Sequence, residues 1–187
     1  MKRASGVRYI AFLRGINVGG HRVSMADLRD IFTSMKFGNV DTFIASGNVI
    51  FDAPAASKPE ALELKIAKEL EGALGYGVPT FLRTPDEVAE AGKHLPFPVK
   101  EMEQAGHTVH VGFLRSAPDA KLTSYFAGNH TAMDAFAING RELYWLIRGR
   151  TLESLVKWQT VERAVKLDMT MRNLTSVRKL TAKLGSS

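Results

Sequence analysis

Two short segments of this chain combine glycine with side chains that donate and accept hydrogen bonds. The first is LRGINVGG at residues 13–20, and the second is ASGN at residues 45–48. Each follows a run of residues that has the pattern of a β-strand. Backbone amides in glycine-rich turns, together with arginine and amide side chains, are groups that hold phosphates and carboxylates. The sequence therefore predicts a polar, partly basic binding edge, and it does not identify the ligand.

The first segment has the glycine spacing of a phosphate-binding P-loop, because residues 15–22 read GINVGGHR. The match ends there, since His21 and Arg22 occupy the positions where Lys and Ser or Thr would hold the phosphates and magnesium. Nucleotide hydrolysis is therefore not predicted. Two interpretations of Gly19 and Gly20 stay open. Their backbone N–H groups hold an anion near the start of a helix, or they form a tight turn that requires positive φ.

The other candidate ligand-binding residues lie on the same two segments. Arg14 ends an apolar strand, so we expect its guanidinium to emerge at the sheet edge, where it can make bidentate contacts with a carboxylate or phosphate. Asn17, Ser46 and Asn48 would supply hydrogen bonds, and Gly47 would form part of the turn. The alternative is ordinary turn chemistry, in which these side chains bond only their own loops.

The elements that position these residues follow a β-α-β-β-α-β order. The patterns predict strands at residues 8–14, 40–45, 49–51 and 80–83, and helices at residues 24–36 and 59–74. This is the order of a ferredoxin-like unit, in which the first two strands run parallel with the third between them. The loop after the first strand and the turn between the second and third strands then lie at the same end of the sheet. Topology alone is expected to bring residues 14–20 and 46–48 together.

A second copy of this unit is predicted after a short helix at residues 85–94. GFLR at residues 112–115 repeats AFLR at residues 11–14, and a hairpin turns at Asn139 and Gly140. Helical sequence is expected from about residue 151 onward. The predicted fold is therefore α+β, with two ferredoxin-like repeats packed into one compact body, at residues 1–84 and 85–187.

Several strings resemble the family named domain of unknown function 1697. They are LRGINVGG, MADLR in a helix, FIASGNVIF, LYWLIRG, and TMRN followed by a helix with RKL. The resemblance runs over nearly the whole chain and implies a duplicated ferredoxin-like fold in bacterial proteins with no established biochemical activity. The family's C-terminal motif usually reads Arg-Asn-Trp-Asn-Thr-Val. This chain keeps Arg172, Asn173 and Val177, whereas Leu174 replaces the tryptophan and Thr-Ser replaces Asn-Thr.

Arg172 and Asn173 are also candidate ligand-binding residues. They open a last helix predicted at residues 171–184, with Thr170 as its N-cap. An arginine beside a helix N-terminus could bind an anion. The interpretation we favour is that Arg172 bridges to an acidic neighbour and fixes the helix.

The net charge of +6 comes entirely from the C-terminal part of the chain. Residues 148–184 contain nine Lys or Arg and three acidic residues, a surplus that could attract nucleic acid. A solvated helical surface is the favoured explanation. RNA-recognition modules share this strand order and stack bases on exposed aromatic residues. However, the first strand is apolar on both sides, so we expect both faces of its sheet to be covered.

The remaining features exclude several classes of function. The chain has no cysteine, and no apolar run approaches the roughly 18 residues of a membrane span, so we expect a cytoplasmic protein without a membrane partner. His107 and His110 point to opposite faces of a strand, and no metal, cofactor or nucleophilic triad is predicted. Binding of a small anion is the first hypothesis, with nucleic-acid binding and a non-enzymatic interaction module as alternatives. Catalysis and oligomeric state stay open.

Overall fold

The computed structural model describes residues 6–44 and 47–185. The chain divides into two units, Met1–Glu87 and Val88–Ser187. The first unit contains β1 (Gly6–Leu13), α1 (Met25–Ser34), β2 (Gly38–Phe43), β3 (Asn48–Pro54), α2 (Pro59–Leu74) and β4 (Thr80–Arg83). Helix α3 (Pro85–Lys93) begins in the first unit and ends in the second. The second unit continues with α4 (Val99–Met102), β5 (Thr108–Leu114), α5 (Ala120–Gly128), β6 (Asp134–Asn139), β7 (Glu142–Ile147), a turn of 3-10 helix (Thr151–Glu153), α6 (Trp158–Val165), β8 (Met169–Asn173) and α7 (Leu174–Gly185).

Each unit contains one four-stranded antiparallel sheet, and the two sheets have the same strand order. The first is β2-β3-β1-β4 and the second is β6-β7-β5-β8. Pairing repeats as well, because Ile10 faces Arg83 across β1 and β4, and Val111 faces Arg172 across β5 and β8. These sheets and their helices confirm the predicted α+β class and the two similar repeats.

In the first unit, α1 and α2 pack on one face of the sheet. Side chains of β1 that point to this face alternate with those that do not, so Tyr9, Ala11 and Leu13 join the core beneath the helices. Ile10 and Phe12 point to the other face, and they are fully buried too. A strand that is apolar on both sides is therefore covered on both sides, and it offers no open aromatic platform for RNA bases.

In the second unit, aromatic side chains fill the space between the sheet and helices α5 and α6. Trp158 of α6 packs edge-on against Trp145 of β7, with ring centroids 4.9 Å apart. On the opposite face Tyr144 is fully buried, and its hydroxyl donates to the carbonyl oxygen of Ala91 in α3 over 3.1 Å. Burial raises the pKa of this phenol. Both faces of the second sheet are thus covered, and its aromatic residues serve the core.

The C-terminal prediction needs a correction. Residues 169–173 form β8 instead of helix, α7 begins at Leu174, and Thr170 lies within the strand and is not an N-cap. The physical reason is that β5 has an edge that β8 pairs along five residues, and this pairing outweighs the helical spacing of the apolar side chains. Asn173 takes the position at the helix start, where its Oδ1 accepts from the N–H of Thr175 over 2.8 Å.

Within residues 6–44 and 47–185, no helix is long and apolar enough to cross a membrane. The same residues contain no group of three or more His, Asp or Glu side chains that could hold a metal ion.

Candidate functional site

The two glycine-containing segments meet at one end of the first sheet. The N–H of Leu13, the last residue of β1, donates to the carbonyl oxygen of Gly47 over 2.8 Å. Asn48 then begins β3 opposite Phe12. Strand β3 is antiparallel to both β1 and β2, so β1 and β2 run parallel, as the strand order predicts. The loop that follows β1 and the β2–β3 turn therefore share this edge.

Side-chain packing joins the two segments as closely as the hydrogen bond does. Ile16 is buried, and a Cβ added at Gly47 would lie 2.6 Å from its Cγ2 atom. Gly47 also has a φ of 75°, in the left-handed region that favours glycine. Glycine is therefore required here both by backbone conformation and by the close approach of the loop.

Hydrogen bonds made by Asn17 and Tyr76 hold the loop of residues 14–22 in place. Asn17 Oδ1 accepts from the N–H of Val23 over 2.8 Å. The hydroxyl of Tyr76 donates to the carbonyl oxygen of Ile16 over 2.7 Å, and His21 stacks on the Tyr76 ring at a centroid distance of 3.8 Å. Asn17 thus bonds the backbone of its own loop, which is the alternative to ligand binding given above, and it helps to fix the loop's conformation.

Gly19 and Gly20 are exposed at the tip of this loop, with φ angles of 71° and 89°. Their positive φ is the turn role that the sequence allowed. Among the described residues, neither backbone N–H has a hydrogen-bond acceptor. At the start of α1, Ser24 Oγ accepts from the N–H of Asp27, and the Asp27 carboxylate accepts from the N–H of Ser24. This carboxylate disfavours an anion at the helix terminus, which leaves the loop amides as the candidate donors.

The remaining predicted residues of the first unit differ in accessibility. Arg14 is half-buried, and its backbone N–H donates to the carbonyl oxygen of Pro79 over 2.9 Å. Asn48 is only 2% exposed, and its Nδ2 donates to the carbonyl oxygen of Phe43 over 3.0 Å. Ser46 lies outside the described residues. Asn48 is therefore positioned to hold the turn, whereas the tip of the loop is open to a ligand.

Arg172 and Asn173 belong to the second unit. Arg172 is buried on β8 and donates to Thr170 Oγ1 over 2.9 Å and to the Met171 carbonyl oxygen over 2.8 Å. Burial lowers the pKa of this guanidinium to about 10. Asn173 starts α7, as described above. Both residues therefore make structural contacts within β8 and at the start of α7.

Sequence reasoning missed Ile16 and Tyr76, which fix the loop. Ile16 is the one apolar residue of the loop that is buried, whereas Val18, two residues on, is 68% exposed. Tyr76 is sixty residues from its partner in the chain. An apolar residue within a glycine-rich loop is a weak signal for such an anchor, because the exposed Val18 shares it, and the tyrosine has no local signal.

The family model described as a protein of unknown function, DUF1697, matches residues 7–144, a span that includes both glycine-containing segments. The chain belongs to the DUF1697 family. None of the curated proteins matches it significantly. Among solved structures it is similar to that of the conserved bacterial protein SP0830 from Streptococcus pneumoniae. The sequences are 19% identical, and the match covers 97% of this chain and 99% of that one with a TM-score of 0.76. This similarity shows a shared fold.

The corresponding edge of the second unit of this DUF1697 chain is open. A cavity of about 440 Å³ lies between the loop after β5 and the segment before β8. Arg115, Lys121 and Lys166 line it together with Asp168, and Arg115 Nε lies 2.7 Å from the Asp168 carboxylate. The second edge thus has a charged cleft in which an internal ion pair already engages its arginine.

Proposed function

We propose that this DUF1697 protein binds a small anionic or phosphate-bearing ligand at the first sheet's edge, formed by residues 14–20 and 46–48. The observation that carries the proposal is the pair of exposed N–H groups of Gly19 and Gly20, which have no acceptor among the described residues. Successive backbone N–H groups in a turn can hold an anion. Arg14 supplies positive charge in this proposal.

The charge of the loop favours an anion over a cation. Residues 14–22 contain two arginines and one histidine and no acidic residue. The first carboxylate after the loop, that of Asp27, is engaged by Ser24. Asn17 and Asn48 act as positioning residues, because each bonds its own backbone neighbourhood. Ser46 would add a hydroxyl from the turn.

A thermal-shift screen against nucleotides, phosphorylated metabolites, pyrophosphate and short RNA tests the proposal. We expect at least one anion to raise the melting temperature of the wild type and to lose most of that effect in Arg14→Ala. Arg163→Ala is the matched control, because Arg163 is an exposed arginine of α6 in the other unit. The proposal is wrong if every shift survives Arg14→Ala.

Nucleic-acid binding through the basic C-terminal stretch is less well supported than it was from sequence. Arg148 pairs with Glu101, Arg150 pairs with Glu153, Arg172 is buried, and Arg178 Nε donates to a backbone carbonyl oxygen. Arg163 Nε likewise donates to the carbonyl oxygen of Gln159, so at least five of the nine basic residues are engaged within the protein. RNA that shifts the melting temperature only at low salt, with the effect removed by neutralising Lys166, Arg178 and Lys179, would favour this alternative.

One observation favours the interaction-module alternative. Val18, on the first segment, and Ile44, just before the second, are 68% and 45% exposed. Ile44 also has a φ of 51°, which β-branched residues rarely adopt. Contiguous exposed apolar patches mark surfaces that contact other proteins, and strained backbone is concentrated at functional sites. A screen in which no anion shifts the melting temperature would favour this function over the first.

A further inference from the structure

A second cavity lies in the first unit, at the end of β3 away from the glycine-containing edge. Strand β3 starts at Asn48 beside that edge and ends at Pro54, which lines the cavity. The cavity has a volume of about 650 Å³, within the usual range for small-molecule sites. Its walls come from the C-terminal end of α1, the loop after β3 and the first turns of α2.

The cavity is lined by three lysines and by no acidic residue. Lys36 follows α1, Lys58 precedes α2, and Lys65 lies on α2. Within residues 6–44 and 47–185, none of the three is in an ion pair or a side-chain hydrogen bond. The Lys65 ammonium lies 5.3 Å from the centroid of the Phe37 ring, a cation–π contact. Three cations without carboxylate partners make this cavity a region of positive potential.

The floor of the cavity is apolar and well packed. Met35, Phe37 and Leu62 line it and belong to the buried core of the first unit. The Phe37 ring packs against Phe51 at a centroid distance of 4.5 Å, so the floor is anchored to the sheet. A ligand with a flat or aliphatic body could cover this floor while its charged group reaches the lysines.

The first turn of α2 adds to the positive potential. Lys58 gives this helix no side-chain cap, and Pro59 has no N–H. Ala61 lines the cavity, and its N–H is one of those at a helix start that have no acceptor within the helix. The acidic residue of this turn, Glu60, does not line the cavity. The helix terminus therefore reinforces the lysines and does not oppose them.

We infer that this lysine cavity is a second binding site, for an organic anion that joins an apolar or aromatic body to a phosphate or carboxylate group. The site is independent of the proposed ligand at residues 14–20 and 46–48, because it uses other residues at the other end of β3. The aromatic body is bound by the floor at Phe37, and the anionic group by Lys58, Lys65 and Lys36.

Calorimetric titration with 1-naphthyl phosphate tests the inference on the full chain. We expect binding, and a loss of about tenfold or more in affinity in the double variant Lys58→Gln/Lys65→Gln. Lys68→Gln is the matched control, because Lys68 is an exposed lysine of the same helix outside the cavity lining. Its affinity should stay within about twofold of the wild type. Arg14→Ala should leave the affinity of the lysine cavity for 1-naphthyl phosphate unchanged, because Arg14 does not line it, so any binding at the glycine-containing edge is measured separately.

Inorganic phosphate and neutral 1-naphthol are the two partial probes. Each should bind at least about tenfold more weakly than 1-naphthyl phosphate. Inorganic phosphate can contact only the lysines, and 1-naphthol can contact only the apolar floor. Three outcomes would overturn the inference. They are the absence of binding at millimolar probe, equal binding of 1-naphthol, and unchanged affinity in the folded double variant.

Discussion

The same sheet edge occurs in both units of this chain, with the same backbone hydrogen bonds but different side chains. In each unit the last residue of the first strand donates to the hairpin, with Leu13 bonding Gly47 over 2.8 Å and Leu114 bonding Arg141 over 2.9 Å. The backbone N–H of the following arginine donates to the carbonyl oxygen of the residue before the unit's fourth strand. Arg14 donates to Pro79 in the first unit, and Arg115 donates to Asp168 in the second. The backbone frame is therefore common to both units.

The side chains on that frame make the difference. In the first unit Gly47 admits the Ile16 side chain, and a long loop carries three exposed glycines, Gly15, Gly19 and Gly20. In the second unit arginine occupies the position of Gly47, the loop is only residues 115–119, and a cleft with an ion pair between Arg115 and Asp168 remains. A repeated register thus fixes where an edge lies, while the hairpin residue and the length of the loop after the first strand differ between the two edges.

The largest expected effect on stability comes from Gly47, the hairpin position at which the two edges differ in sequence. Gly47→Ala should lower the free energy of unfolding by about 3 kcal/mol, because the new Cβ has a strained φ and meets Ile16. Chemical denaturation measures the loss. Gly140→Ala in the other hairpin is the control, since Gly140 has positive φ but its Cβ position meets nothing nearer than 3.6 Å. It should cost about 1 kcal/mol, from strain alone. Equal losses at the two glycines would contradict the packing argument.

A smaller effect is expected from the bonds that hold each loop. Asn17→Ala removes the acceptor of the Val23 N–H, and Asp119→Ala removes the acceptor of the Leu122 N–H at the start of α5. Each should cost about 1 kcal/mol in the free energy of unfolding. Only Asn17→Ala should speed amide hydrogen exchange in residues 14–22. If it leaves that exchange unchanged, the loop is held by Tyr76 and Ile16 without help from Asn17.

The smallest expected effect is a pH dependence of stability that only the second unit should show. Tyr9 and His110 occupy equivalent positions, facing Phe51 and Trp145 respectively. Burial lowers the pKa of His110 below its ordinary value of 6.5, so the unfolded chain takes up the proton first as the pH falls. Stability of the second unit should therefore decrease as the pH falls below about 6.5. His110→Tyr, which copies the first unit, should lose this dependence.

Tryptophan fluorescence can follow this loss, because Trp145 and Trp158 both lie in the second unit. The measurement is the urea midpoint of the fluorescence transition at about pH 7 and about pH 5. Wild type should show the larger decrease on acidification. A decrease of the same size in His110→Tyr would assign the pH dependence to other groups.

Local signals predicted much of this fold, and non-local contacts explain what they missed. Helix α2 and strand β4 begin and end where the patterns place them, because Pro59 marks the helix start and Thr80–Arg83 is a short apolar run. Strand β8 was missed because its residues continue into α7 without a break and share its helical spacing. Its identity depends on pairing with β5, more than fifty residues earlier.

The candidate site shows the same limit. Convergence of the two glycine-containing segments followed from strand order, since parallel β1 and β2 leave their ends on one side. The buried state of Asn48 and the bond from Tyr76 to Ile16 did not follow, because each depends on side-chain packing across the folded unit. Strand order therefore predicts where a site lies, and packing decides which of its residues can touch a ligand.

The most direct measurement of the central claim is a titration of the isotope-labelled protein with pyrophosphate, followed by amide NMR shifts. We expect the N–H signals of Gly19 and Gly20 to move most and Arg14→Ala to abolish the movement. Pyrophosphate lacks an apolar body, so the Ala61 signal in the lysine cavity should move little. Gly19 and Gly20 signals that do not move while other signals saturate would show that the anion binds elsewhere.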